Sequence, residues 1–137
     1  MNPIETFIHA WTETGSGTKQ AFSELYNHLK TLDDTALSFN ERPGVSYSIR
    51  PRHKSQQKRS LFAMVDVIDD NPEERWLSVC FYGEMVTDPD EAGDLIPQGL
   101  LGEDGYCFDL YEYDKDAIAY LKQRLSEACE NSRELVF

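Results

Sequence analysis

The chain has 137 residues, 40% apolar and 28% charged, with 13 lysines and arginines against 25 aspartates and glutamates, a net charge of −12. That length suits one domain with a single core, and neither the apolar nor the charged fraction suggests disorder. The apolar runs are only a few residues long, too short for a membrane span, and the negative charge opposes general binding to nucleic acid. The expectation is a single cytoplasmic domain over residues 1–137, with no nucleic-acid partner and no membrane association. Met1-Asn2-Pro3-Ile4-Glu5 has no basic, apolar leader, so no secretory signal is expected.

Asn2, Pro3 and Glu5 stand at the cap, first and third positions of a helix, three concordant start signals. Ile4, Phe7, Ile8 and Trp11 then recur at helical spacing, and Gly15-Ser16-Gly17 is expected to end that helix. Thr18 caps a second helix, which places Phe22, Leu25, Leu29 and Leu32 on one face. From Asp33 the period becomes two. A short strand is expected over residues 36–39, and Val45, Tyr47 and Ile49 alternate with Ser46, Ser48 and Arg50 in another.

Residues 51–60 are polar and basic and read as a long hairpin tip. Residues 61–68 and 75–82 are near-continuous apolar runs with the turn Asp69-Asp70-Asn71-Pro72 between them, and they read as central strands. Residues 83–105 are irregular, with four glycines after Gly83, two prolines and seven acids. A further strand follows over residues 106–111, with Tyr106, Phe108 and Leu110 on one face and Asp109 on the other. Asp114 then caps a final helix whose stripe is Ile118, Leu121, Leu125, Ala128 and Cys129. The expected fold is α+β: two N-terminal helices, an antiparallel sheet of four to five strands, and one C-terminal helix packed on the sheet.

Charge is unevenly distributed. Residues 42–65 hold six basic side chains and no acid, whereas residues 84–116 hold eleven acids and one lysine. Such a dipolar chain suits a protein partner or self-association, with Arg50, Arg52, Lys54, Lys58 and Arg59 as the candidate contact residues. Cys80, Cys107 and Cys129 are odd in number and far apart, with no Cys-x-x-Cys pair. They read as three reduced thiols, two of them small core residues within strands.

No combination of residues spells a catalytic motif. Gly15-Ser16-Gly17-Thr18-Lys19 lacks the distal glycine of a phosphate loop and follows a helix instead of a strand. In 88–94, Asp88, Asp90 and Gly93 match three positions of a calcium loop, but position twelve is Gly99, so the bidentate carboxylate is missing. What remains there is an open divalent-cation site of Asp88, Asp90, Glu91 and Asp94. Leu95, Ile96, Leu100 and Leu101 are too apolar for a solvated loop; packing beneath the sheet is the favoured outcome, an exposed patch or a lid the alternative. His9 and His28 flank the helical stripes and His53 lies in the basic tip. Asp66, Tyr82 and Asp109, on neighbouring strands, are a candidate cleft trio.

Ile4-Glu5-Thr6-Phe7-Ile8, Phe22-Ser23-Glu24-Leu25-Tyr26, Leu61-Phe62-Ala63, Val79-Cys80-Phe81-Tyr82 and Gly105-Tyr106-Cys107-Phe108, closed by a helix through Ile118 and Leu121, make a pattern that spans most of the chain. It resembles small bacterial α+β domains of the YdhG-like type, some described as frataxin-like. That resemblance implies iron or another divalent metal handled by surface carboxylates, and it assigns no individual ligand. The basic tip and the acidic stretch after Gly83 depart from it. The leading functional expectation is a non-catalytic binding or regulatory domain. The alternatives are divalent-cation binding through the acidic loop, and an enzyme with its cleft under residues 83–105.

Overall fold

The computed structural model describes residues 1–134. Among them the chain forms α1 (Pro3–Ala10), α2 (Thr18–Lys30), β1 (Thr35–Arg42), β2 (Ser46–His53), β3 (Met64–Ile68), β4 (Trp76–Tyr82), a 3-10 turn (Gly83–Met85), β5 (Asp94–Leu100), β6 (Glu103–Leu110) and α3 (Lys115–Asn131). The strands make one antiparallel sheet in the order β1-β2-β3-β4-β6-β5. The α+β class is as expected, with six strands instead of four or five.

Both outer helices start where their caps predict. The Asn2 side chain accepts from the Glu5 amide at 2.9 Å and the Glu5 carboxylate accepts from the Asn2 amide, while Asp114 accepts from the amides of Asp116 and Ala117. α1 ends earlier than its glycines suggest. Trp11 turns out of the helix and is buried against Phe7 and Phe22, so packing of one large ring ends the helix before the glycines are reached. Thr18 is not the cap of α2. Gly17 takes that position at φ +81, and the Thr18 hydroxyl donates instead to the Arg75 carbonyl at 2.9 Å. Only glycine fits at 17: a Cβ there would lie 2.5 Å from Tyr113 Cβ.

The helices cover one face of the sheet. Phe7 of α1 stacks on Tyr47 at 4.2 Å and meets Phe39 at 5.6 Å, and Tyr120 of α3 sets its ring edge to face with Phe108 at 6.1 Å. Ile49, Val65, Val67, Leu77, Val79, Phe81 and Phe108 are buried beneath them with Phe22, Leu25, Leu29, Ile118 and Leu125. Each such side chain contributes about 1.5–3 kcal/mol by leaving water. Leu61, Phe62 and Ala63 belong to the core but not to β3. They lie in the connection from β2, where the Phe62 amide donates to the Pro51 carbonyl.

The irregular stretch after Gly83 contains the unexpected strand. Leu101 (φ 50) and Gly102 (φ 85) form a two-residue turn that returns β5 onto β6, with Leu100 opposite Glu103. Pro97 is tolerated because β5 is an edge strand with a register shift between Ile96 and Leu100. The expectation that the four apolar side chains here pack under the sheet is corrected: Leu100 is buried, but Leu95 and Leu101 are each 56% exposed and Ile96 43%. Among the described residues no helix is long and apolar enough to cross a membrane.

Candidate functional site: the uncovered sheet face

Period-two alternation sends every second side chain of the strands away from the helices, and among the described residues no helix packs on that second face. Local contacts define which residues share it. Arg50 Nε donates to Ser48 Oγ at 3.3 Å, Ser78 Oγ lies 3.6 Å from Cys80 Sγ, and Trp76 stacks on Tyr111 with ring centroids 4.8 Å apart. Register then orders them into rows: Asn40, Ser48, Asp66, Ser78 and Asp109 in one, and Met64, Cys80, Cys107 and Asp94 in the next.

Charge is graded across this face. Arg42, Arg50 and Arg52 stand on the β1–β2 side, and Asp109 and Asp94 stand toward the β5 edge. Between them lie Met64, Ile68 and the Trp76–Tyr111 stack. Tyr111 is 62% exposed, unusual for a ring at the end of a strand.

Asp66 is the most perturbed acid of the face. Burial pushes its carboxyl above the ordinary carboxylate range, opposed by a Ser48 hydrogen bond and the fields of Arg50 and Arg42. Its Oδ1 is buried with no hydrogen-bond partner. The folded state therefore holds the proton more tightly than the unfolded chain. The contribution of Asp66 to stability is intact below the ordinary carboxylate range and is lost as pH rises through the raised value. Asp66→Asn, isosteric and uncharged, should raise the thermal midpoint at pH 7 by about 3 °C, the order that 1 kcal/mol produces in a domain of this size. Melts repeated at pH 3 should show the gain gone, because the wild-type acid is then neutral in both states.

The expected basic tip is not a free tip. Gln56 is buried; its side chain accepts from the His53 amide at 2.9 Å and donates to the Leu61 carbonyl at 2.8 Å, so the segment folds onto itself. The five candidate cations separate accordingly. Arg50 lies on the sheet face; Arg52 donates to the Gln56 carbonyl; Lys54 pairs with Asp34 at 3.2 Å; Lys58 is exposed. Arg59 lies over the Tyr82 ring and pairs with Glu84 and with Glu103, joining the segment to β4 and the β5–β6 hairpin. Beside it, Tyr82, Leu95, Asp104 and Tyr106 complete a hollow of about 540 Å³ where the cleft under residues 83–105 was expected. Its two glutamates are engaged by Arg59, and Asp104 accepts from the Gln98 amide.

Of the four candidate cation ligands, Asp88 is engaged by its own loop. It accepts from the hydroxyls of Tyr106 and Tyr120 and from the amides of Ala92 and Gly93. Asp90 and Glu91 are exposed on the same loop, and Asp94 opens β5. Among the described residues no group of three or more His, Cys, Asp or Glu side chains is placed to hold a metal ion. Asp66 and Asp109 flank Ser78 in one row, but Tyr82 lies four residues further along β4 under Arg59, so the trio does not converge. His28 bonds to Ser126 Oγ at 2.8 Å, and burial, then Lys122, moves its ring below the usual histidine range. His53 is buried against Ser55, and His9 is exposed.

The reading of three reduced thiols is corrected. Cys80 and Cys107 are direct cross-strand partners, Cα atoms 4.1 Å apart, and form a disulfide. Neither is a core residue; both are partly buried on the uncovered face. Cys129 alone remains a thiol, buried on α3 beneath the other face. Sequence did carry a signal for this pair: counted from Val79 and Phe108, each cysteine has the parity of the polar side of its strand. Trp76 has the same parity in β4.

No protein-family model matches the chain, and no curated protein and no solved structure matches it either.

Proposed function

We propose that the protein is a non-catalytic cytoplasmic binding domain that docks a protein partner on the uncovered sheet face, with an acidic segment of that partner lying over Arg42, Arg50 and Arg52. The observation that carries this reading is the juxtaposition on one face of three arginines and the exposed Tyr111 ring stacked on a partly buried Trp76. Arginine and aromatic side chains are the residue types enriched at protein interfaces, and rings give contact area at small entropic cost.

Trp76 supplies the reporter, since Trp11 is buried in the core. A decaglutamate peptide should perturb Trp76 fluorescence and shift amide resonances across β1 to β4, and the effect should fall as salt is raised. Arg50→Glu/Arg52→Glu should weaken the interaction about tenfold, or 1.4 kcal/mol. Equal binding by that variant, or resonance shifts confined to α1, α2 and α3, would overturn the reading. Concentration-dependent mass in sedimentation without added peptide would favour self-association instead.

A further inference from the structure

The Cys80–Cys107 pair joins β4 to β6 on the face that no helix covers among the described residues, with their neighbours Val79, Phe81 and Phe108 buried in the core on the other side. We propose that this pair is a reversible dithiol–disulfide site, which exchanges with small or protein dithiols and is re-formed by two-electron oxidants. This inference rests on the β4–β6 ladder and on exposure, and is independent of the docking reading.

The ladder places the sulfurs, and the bond between them is not needed to do so. Val79 opposite Phe108 and Phe81 opposite Tyr106 bracket the pair in register, and Val79, Phe81 and Phe108 are buried. Directly opposed residues at the close positions of an antiparallel ladder have Cα atoms about 4.5 Å apart with or without a disulfide. Breaking the S–S bond therefore leaves two thiols side by side, ready to re-form it. A bond buried in the core would be sealed from an attacking thiolate; this one joins two residues that are only partly buried. Cys129, buried and on the opposite side of the sheet, cannot intervene in the exchange.

The two sulfurs are not equivalent. Ser78 Oγ lies 3.6 Å from Cys80 Sγ, where its hydroxyl can donate to a departing thiolate, whereas Cys107 has Asp94 opposite it on β5. A negative neighbour disfavours a thiolate at 107, so Cys80 is the leaving group and Cys107 Sγ is the atom attacked. The external thiolate forms a mixed disulfide with Cys107 and releases Cys80 as thiolate. The second thiol of the dithiol, as its thiolate, attacks the sulfur of its own chain in that mixed disulfide and releases Cys107. The cystine is reduced by two electrons, two protons end on Cys80 and Cys107, and the dithiol leaves as its cyclic disulfide. Oxidation by a two-electron oxidant such as diamide runs the balance the other way.

The test uses the full chain in graded mixtures of reduced and oxidised dithiothreitol, with free thiols alkylated and located by mass spectrometry. Cys80 and Cys107 should become alkylated together along one two-electron curve, tenfold in the redox ratio for about 30 mV, while Cys129 stays unmodified in the folded protein. The reduced protein should keep its amide spectrum and melt about 10 °C lower, the order expected when a 27-residue loop is released in the unfolded state. Glutathione trapping should place the mixed disulfide on Cys107, and Ser78→Ala, which leaves both cysteines in place, should slow exchange several-fold. The proposal is overturned if dithiothreitol opens the pair only in denaturant, if reduction unfolds the domain, or if reduced protein fails to re-form the bond with diamide. Trapping on Cys80, or an unchanged rate in Ser78→Ala, overturns the assignment of the leaving group.

Discussion

Asp69→Ala should lower the stability of the protein by about 3–5 kcal/mol, the largest effect expected of any single polar substitution, because it strands a buried guanidinium. Asp69 Oδ1 accepts from Arg75 Nε at 2.7 Å, with the two side chains only 4% and 15% exposed. Oδ2 accepts from the Gly44 amide at 2.9 Å in the β1–β2 turn, and the Asp69 amide donates to the Val45 carbonyl. The Arg75 guanidinium lies 5.1–5.6 Å from the ring centroids of Phe7, Trp11 and Tyr47, so α1, the β1–β2 turn and the β3–β4 turn meet around one ion pair. Removing the carboxylate leaves the guanidinium beside these rings without its ion-pair partner. Urea unfolding followed by near-ultraviolet dichroism would show a lower midpoint at unchanged slope. Arg75→Leu in the Asp69→Ala background should recover part of the loss, since the charge left without a partner is then gone too.

The second effect is local and depends on pH. Asp88→Ala should cost about 2 kcal/mol at pH 7, the scale of hydrogen bonds to a charged acceptor with allowance for partial exposure. Residues 88–93 wrap around this carboxylate, which ties the loop to Tyr106 of β6 and Tyr120 of α3. Partial desolvation favours the neutral acid, but the bonds from Tyr120, Gly93, Tyr106 and Ala92 outweigh it and hold the carboxyl far below the usual range. A lowered value means the stabilisation is complete above the ordinary carboxylate range and is lost as pH falls through the folded one. The difference between wild type and Asp88→Ala should therefore be full at pH 7 and shrink progressively as pH falls below about 4. The Tyr106 hydroxyl, bonded to Asp88 and partly desolvated, is pushed up to about 12, so this donor keeps its proton across the neutral range. Limited proteolysis offers a second readout: cleavage between residues 86 and 94 should accelerate in the variant and leave α3 intact.

Features that depend on short-range chemistry were legible in the chain. Asn2, Pro3 and Glu5 set the start of α1, and Asp114 that of α3, because a cap needs only residues within a few positions of one another. The stripes of α2 and α3 and the apolar runs of β3 and β4 were legible for a related reason, since periodicity reports which side of an element leaves water. β5 was not legible. Asp94-Leu95-Ile96-Pro97-Gln98-Gly99-Leu100 carries two strand breakers, and pairing with β6 at the sheet edge is what holds it extended.

The candidate site divides along the same line. The basic residues of 42–65 and the acids of 84–116 were visible as composition, but which of them neutralise each other was not. Arg59 meets Glu103 across 44 positions, and Asp88 is enclosed by tyrosines 18 and 32 positions away. The disulfide is the same kind of fact. Cys80 and Cys107 are 27 positions apart, and one residue of slip between β4 and β6 would send their side chains to opposite faces. By itself the sequence determined the helices, the apolar faces, the α+β class and the imbalance of charge, because each follows from neighbours in the chain. Only the tertiary structure decided which face stays uncovered, which charges are already paired and which two of the three cysteines meet, because those are matters of strand order and register.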